Sequence, residues 1–180
     1  DRDKLLAFNT TALEAAPAER KLAGLRDWLS VNEPGPLSGL DDATLLRLIE
    51  LCRGFRTFAD IETKCAVLFA PDETVRYEEA AVKQWLLKGE RAGVKVLGAL
   101  RAKLAALGEW TPAALEALIR GYADEHGLGL GKVAQPLRIA ATGTTVSPAI
   151  FDTLELLGRE RTLARIDRLL AQPMVAEGGA

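Results

Sequence analysis

The sequence predicts an all-α protein, on three observations. Apolar residues recur at helical spacing along most of the chain, as in Leu45, Leu48, Ile49 and Cys52, and again in Ile61, Cys65, Leu68 and Phe69. No stretch alternates apolar and polar residues for long enough to make a half-buried strand. Proline, glycine and capping side chains fall between the periodic stretches, where helices have to start and stop.

The elements follow in order. Pro17 opens a helix that runs to about Leu29, and Asn32 to Gly39, with Pro34 and Pro36, reads as a loop. Asp41 or Asp42 can cap the next helix, which ends near Gly54. A further helix starts near Asp60 and stops before Pro71; residues 71–77 form a connection. Helices are expected at about 78–88 and 91–107, the second carried by Leu97, Leu100, Leu104 and Leu107. Thr111 followed by Pro112 is a cap with a proline at the first helical position, and that helix, with Leu115, Leu118, Ile119 and Tyr122 on its apolar face, ends at Gly127. Three shorter helices complete the chain: about 131–141, containing Pro136; one started by Ser147-Pro148 and ended at Gly158; and about 159–171. The small, polar residues from Gln172 to Ala180 read as a frayed tail. Two packed helical subdomains are expected, one over 1–72 and one over 73–180.

The 180 residues are 48% hydrophobic and 27% charged, enough to build a core and solvate its outside. Apolar runs are broken by charges within a few residues, so no membrane span is expected. The chain begins Asp1-Arg2-Asp3, with neither a signal-peptide pattern nor an initiator Met, and is read as an excised or processed piece. Cys52 and Cys65 lie on apolar stripes and read as buried free thiols, which suits a cytoplasmic protein. One histidine, His126, and two distant cysteines make no metal site, and His126 sits where a helix C-terminus favours it. The formal net charge of −2 argues against a general nucleic-acid coat, but residues 131–170 hold six basic side chains against four acidic ones. Within that segment Arg159, Arg161, Arg165 and Arg168 alternate with Glu160 and Asp167 and read as a solvated face. Trp28, Trp85 and Trp110 read as core or interface side chains.

Residues 131–170 carry the most specific pattern. It runs Gly131-Lys132-Val133-Ala134-Gln135-Pro136-Leu137-Arg138-Ile139-Ala140, then Thr142-Gly143, then Val146-Ser147-Pro148, then Leu156-Leu157-Gly158-Arg159-Glu160-Arg161. In order and spacing this resembles the closing segment of bacterial glutamyl-tRNA synthetases. Asp1-Arg2-Asp3-Lys4-Leu5 with Phe8-Asn9, and the stretch from Arg53 to Phe69, resemble earlier segments of the same family, so the likeness spans nearly the whole chain.

The resemblance implies an all-α body whose two helical subdomains grip a tRNA anticodon loop. Carried over residue by residue, it assigns anticodon contacts to Arg138, Ser147, Pro148 and Ile150, and to Arg53 or Arg56 the reading of the third anticodon base. Physical chemistry is compatible with this. Unstacked bases are read by hydrogen bonding and stacking, and an arginine offers a fixed fork of donors. Taken alone, Ser147-Pro148 is a helix start and Arg138 a surface cation; only the combined pattern singles them out.

The same resemblance implies a parent enzyme that joins glutamate to tRNA with ATP and Mg²⁺. The family's ATP-handling segments need histidines and a Lys-Met-Ser-Lys-Ser-type loop, and neither fits a chain with one His and one Met, Met174. The chain itself is expected to be inactive and to depend on a separate catalytic domain. A different class of function, a freestanding helical protein-interaction module built on the same scaffold, is the alternative.

Overall fold

The computed structural model describes residues 1–176, and for Arg2 the backbone alone. Among these residues all regular structure is helical, and the chain divides into two compact units, Asp1–Ala70 and Pro71–Ala180.

The first unit contains α1 (Arg2–Ala15), α2 (Ala18–Val31), α3 (Asp42–Leu51) and α4 (Phe58–Phe69). The Asp41 carboxylate accepts from Thr44 N at 2.7 Å and so caps α3. Asp60 accepts from the backbone of Arg56 at 2.7 Å and caps α4 from inside its first turn. Leu25, Leu45, Leu48, Ile61 and Leu68 are wholly buried between α2, α3 and α4, and Leu37 seals the loop below them. Each such leucine or isoleucine contributes about 1.5–3 kcal/mol before conformational entropy is charged against it.

Helix α1 is not expected from the pattern, and the reason is physical. Leu5 and Phe8 are 69% and 74% exposed, and none of its described side chains is buried. It therefore shows no apolar stripe. It forms from alanine- and leucine-rich propensity, from the Asp1 carboxylate accepting from Asp3 N, and from Asn9, whose amide donates to the Arg56 carbonyl.

The second unit opens with a 3₁₀ turn, Asp72–Thr74, and continues through α5 (Glu79–Val82), a π-helical turn (Lys83–Leu87), α6 (Lys88–Ala105), α7 (Pro112–Glu125), α8 (Leu130–Thr142), α9 (Ile150–Leu157), α10 (Arg159–Leu170) and α11 (Pro173–Ala176). The break expected between 88 and 91 is a left-handed turn, with φ of 66°, 54° and 61° at Gly89, Glu90 and Arg91. Thr111 Oγ1 accepts from Ala114 N at 3.2 Å, with Pro112 in the first turn, as the cap pattern predicts. Leu100, Leu104, Leu115, Ile119, Leu137 and Leu154, all fully buried, bring α6, α7, α8 and α9 onto one core. The Trp110 indole donates to Leu154 O at 3.0 Å, which makes it a packing residue. His126 ends α7, stacks on Tyr122 with ring centroids 4.1 Å apart, and has Nδ1 2.9 Å from Tyr122 O. The tail expected to fray from Gln172 instead forms α11, which buries Val175; the rest of that tail, 177–180, lies outside the described residues.

One expectation is overturned on α10. Arg165 is not on a solvated face but 0% exposed. Its Nε donates to Asp72 at 2.7 Å and its Nη1 to Ala141 O. Arg161 reaches the same Asp72 oxygen at 2.7 Å, and Arg168 donates to the carbonyls of Val75 and Glu73. The basic side of α10 is thus turned inward, holding the 3₁₀ turn and the C-terminal end of α8.

Candidate nucleic-acid interface

Helix α8 delivers Arg138 to the edge of the second unit. Pro136 inside α8 removes one helical donor but is buried, so packing holds the helix through it. The helix stops at Gly143, whose φ of 82° is left-handed and whose N–H donates to Ile139 O at 2.8 Å. Thr142 Oγ1 donates back to Arg138 O at 2.8 Å, and Gly143 O accepts from Glu78 N at 2.8 Å. The loop that follows is shaped by Thr144, whose hydroxyl accepts from Val146 N at 3.0 Å and donates to Val146 O at 3.1 Å.

This loop brings Ser147 back to Arg138. Arg138 Nε donates to Ser147 Oγ at 2.9 Å, and Ser147 Oγ donates to Pro148 O at 2.7 Å. Behind them the fully buried Thr153 has its hydroxyl 3.3 Å from Ser147 Oγ and 3.2 Å from Pro148 O. The serine is therefore a bracket for the arginine. It is not the helix cap that Ser147-Pro148 suggests: α9 starts at Ile150, with Ala149 in the N-cap position and no side-chain cap. The hydroxyl that would cap the helix is already committed to Arg138, a partner nine residues away. Pro148 is buried, and Ile150 is 5% exposed within the core, so the two form the floor of the loop rather than its outer face.

The electrostatics of Arg138 are unusual for a half-buried cation. Burial lowers its pKa from the ordinary arginine value, and no neighbouring charge offsets that desolvation. Among the described residues no carboxylate pairs with it. Its Nε is engaged by Ser147, and its terminal nitrogens are neither hydrogen-bonded within the described residues nor fully buried. A guanidinium fixed at one end and open at the other is ready for a base edge or a phosphate.

Three further features of the second unit escape a reading of the sequence. Gln135 lies one helical turn before Arg138, and its Oε1 is buried with no hydrogen-bond partner among the described residues. Val146, beside Ser147, is 57% exposed. Arg120 of α7 lies over the Phe151 ring at 5.9 Å from its centroid. Gln135 stands within the Gln-Pro-Leu-Arg motif, so its spacing of three from Arg138 is a usable signal; the other two depend on helix packing that no local pattern reveals.

In the first unit, Arg53 and Arg56 sit in the α3–α4 loop with side chains 83% and 61% exposed. Each has a weak ionic partner at 3.7 Å, Glu50 for Arg53 and Asp60 for Arg56. Phe55, buried between them, anchors the loop. Both arginines are presented to solvent, one on each side of that anchor.

Among the described residues the regular structure is all helical, and α8 holds a half-buried arginine, bracketed by a hydroxyl and without a carboxylate of its own, which defines a helical domain with a cation kept for an outside partner. Sequence comparison makes that class specific: residues 20–170 match the family described as the anticodon binding domain, and the chain belongs to that family. It is 45% identical over 136 residues to a glutamate–tRNA ligase of Thermus thermophilus, covering 75% of this chain and 28% of the relative. It is 39% identical over 181 residues to glutamate–tRNA ligase 1 of Erythrobacter litoralis, covering 100% of this chain and 34% of the relative. The fold resembles a glutamate–tRNA synthetase crystal structure from Elizabethkingia anophelis with a TM-score of 0.74 and 25% identity, over 96% of this chain and 32% of that one. The chain thus spans about a third of the length of these relatives.

The single His126 is used in packing against Tyr122, and among the described residues no group of three or more His, Cys, Asp or Glu side chains could hold a metal ion. No helix among the described residues is long and apolar enough to cross a membrane.

Proposed function

We propose that this chain reads the anticodon loop of a glutamate tRNA on behalf of a cytoplasmic glutamate–tRNA ligase. The observation that carries the reading is Arg138: desolvated, without a carboxylate partner, and aimed by the Ser147 hydroxyl. Such a cation lowers its free energy by meeting an acceptor that arrives from outside. An anticodon base edge, with a phosphate close by, is that acceptor. Val146 offers an apolar face beside Ser147, Gln135 lies one helical turn from Arg138, and Pro148 and Ile150 back the loop. Arg53 or Arg56 reads the third anticodon base from the first unit.

The parent enzyme supplies the chemistry. Attachment of glutamate needs ATP and Mg²⁺ held by a catalytic domain that joins this chain, and the chain alone forms no glutamyl-tRNA. Detection of glutamyl-tRNA made by the isolated chain would overturn that statement. The presence of Arg138 and Ser147 together favours RNA over a purely protein-binding role.

The test is binding of the chain to a glutamate anticodon stem-loop and to the same stem-loop with its anticodon scrambled, at two salt concentrations. Preference for the true anticodon, with affinity falling as salt rises, is the expected result. Equal binding of the two RNAs, or an affinity indifferent to salt, would sink it.

A further inference from the structure

Cys52 and Cys65 face each other in the interior of the first unit. Their sulfurs are 3.3 Å apart, and the side chains are 2% and 0% exposed. Both are free thiols. Nothing in the reading of tRNA uses them. Cys52 is the C-cap of α3, and Cys65 lies in the second half of α4, so the pair joins the two helices at the base of the loop between them. That loop is the one that carries Arg53 and Arg56.

We propose that Cys52 and Cys65 are a reversible dithiol/disulfide couple, oxidised by a hydroperoxide, whose closure ties off the Arg53–Arg56 loop. A disulfide needs sulfurs at about 2.05 Å, so closure asks for side-chain rotation toward a partner already in contact. The first step falls to Cys52. Contact with the neighbouring Cys65 thiol lowers the Cys52 pKa against the opposing effect of burial, while Cys65 itself is pushed up. Cys52 also sits at a helix end, where local opening costs least and admits a small oxidant.

The thiolate sulfur of Cys52 attacks one peroxide oxygen, the O–O bond breaks, and Cys52 becomes a sulfenic acid as water leaves. The Cys65 sulfur then attacks the Cys52 sulfur and expels the sulfenic oxygen as a second water. Two thiols and one hydrogen peroxide give one disulfide and two waters. Thiol–disulfide exchange with a small dithiol reverses the change.

The consequence is local. Gly54, at φ +77°, makes the turn that follows Cys52. With residues 52 and 65 covalently joined, the turn and both arginines hang on a closed ring with fewer accessible conformations. The chemistry of the couple does not depend on what the arginines bind, so it stands or falls separately from the tRNA reading.

The experiment treats the folded chain with hydrogen peroxide and follows it by mass spectrometry, thiol alkylation and hydrogen exchange. The expected product is a monomer lacking two hydrogens, with a cross-link between the peptides holding Cys52 and Cys65. Both thiols return after dithiothreitol. Amides of residues 53–57 should exchange severalfold more slowly in the oxidised form. Cys52→Ser and Cys65→Ser should each abolish the cross-link, and circular dichroism of oxidised and reduced wild-type protein checks that both forms keep the helical fold. Two alkylatable thiols after oxidation, a sulfinic acid on one cysteine with no cross-link, or a disulfide between two chains would overturn the couple. Unchanged exchange over 53–57 in a cross-linked protein would overturn its action on the loop.

Discussion

The Arg138 guanidinium rests its Nε on the Ser147 hydroxyl at 2.9 Å and leaves its terminal nitrogens open. The hydroxyl aims a fork whose two terminal nitrogens lie in one plane. Arg138→Ala should weaken binding of the glutamate anticodon stem-loop by about 1–3 kcal/mol, with loss of discrimination at one anticodon position. Arg138→Lys should not restore it, because an ammonium on a flexible stem cannot hold Ser147 and present a planar fork at once. Titration of each variant against stem-loops altered one base at a time decides the matter. An equal loss against every RNA would mean that Arg138 touches only the backbone.

Ser147→Ala isolates the bracket from the cation. Removing the hydroxyl leaves Arg138 charged but unaimed and also takes a partner from Thr153, which keeps its contact with Pro148 O at 3.2 Å. Anticodon affinity should fall by about 1 kcal/mol, the net worth of one such hydrogen bond. Ser147→Thr keeps the hydroxyl and should bind like the wild type. Thermal melts run beside the titrations should separate aiming from folding, since little stability is at stake in an alanine at this half-buried position.

What could be read from the sequence follows the range of each interaction. The cap at Thr111-Pro112 and the stop at Gly143 are set by neighbours within four residues, and the sequence carries them openly. The Val-Ala-Gln-Pro-Leu-Arg stretch points to Arg138. The bracket does not show itself, because Ser147-Pro148 has the form of a helix start and its true partner is nine residues upstream. Arg165 is misjudged for the same reason: its Glu160 and Asp167 neighbours suggest solvent, while its actual partner, Asp72, is 93 residues away. Helix α1 is missed because it buries no stripe, so the periodicity that marks a helix has nothing to mark.

Asp72 is where that long-range pairing can be tested. Burial raises its pKa, but hydrogen bonds from Arg161 and Arg165 outweigh this and hold the carboxyl below its ordinary value. A depressed carboxylate contributes stability that is present above the unfolded-state value, about 3.9, and is lost as pH falls through the folded one. Helical circular dichroism should therefore hold down to about pH 4 and decline below it. Asp72→Ala should destabilise the protein by several kcal/mol at neutral pH, because the wholly buried Arg165 loses its carboxylate partner. Denaturant titration reads the change. A cost below about 1 kcal/mol would mean that the partners Arg165 keeps, the Ala141 carbonyl among them, are enough to satisfy it.

Gly143 tests whether the loop geometry, rather than the arginine alone, makes the site. Its φ of 82° is left-handed, a conformation any side chain resists, and a Cβ there would run into the backbone carbonyl of Arg76. That carbonyl belongs to the segment whose Glu78 N–H donates to Gly143 O at 2.8 Å, so it cannot move aside without breaking the hydrogen bond. Gly143→Ala should therefore cost stability twice, by about 1–2 kcal/mol for backbone strain and by more for the displaced segment. Its effect should reach the RNA as well. The turn sets the path from α8 to Ser147, and a shift there separates the hydroxyl from Arg138 Nε. At a temperature where the variant stays folded by circular dichroism, its anticodon affinity should drop at least as far as that of Ser147→Ala. A folded Gly143→Ala protein with wild-type affinity would show that Arg138 reads without its bracket.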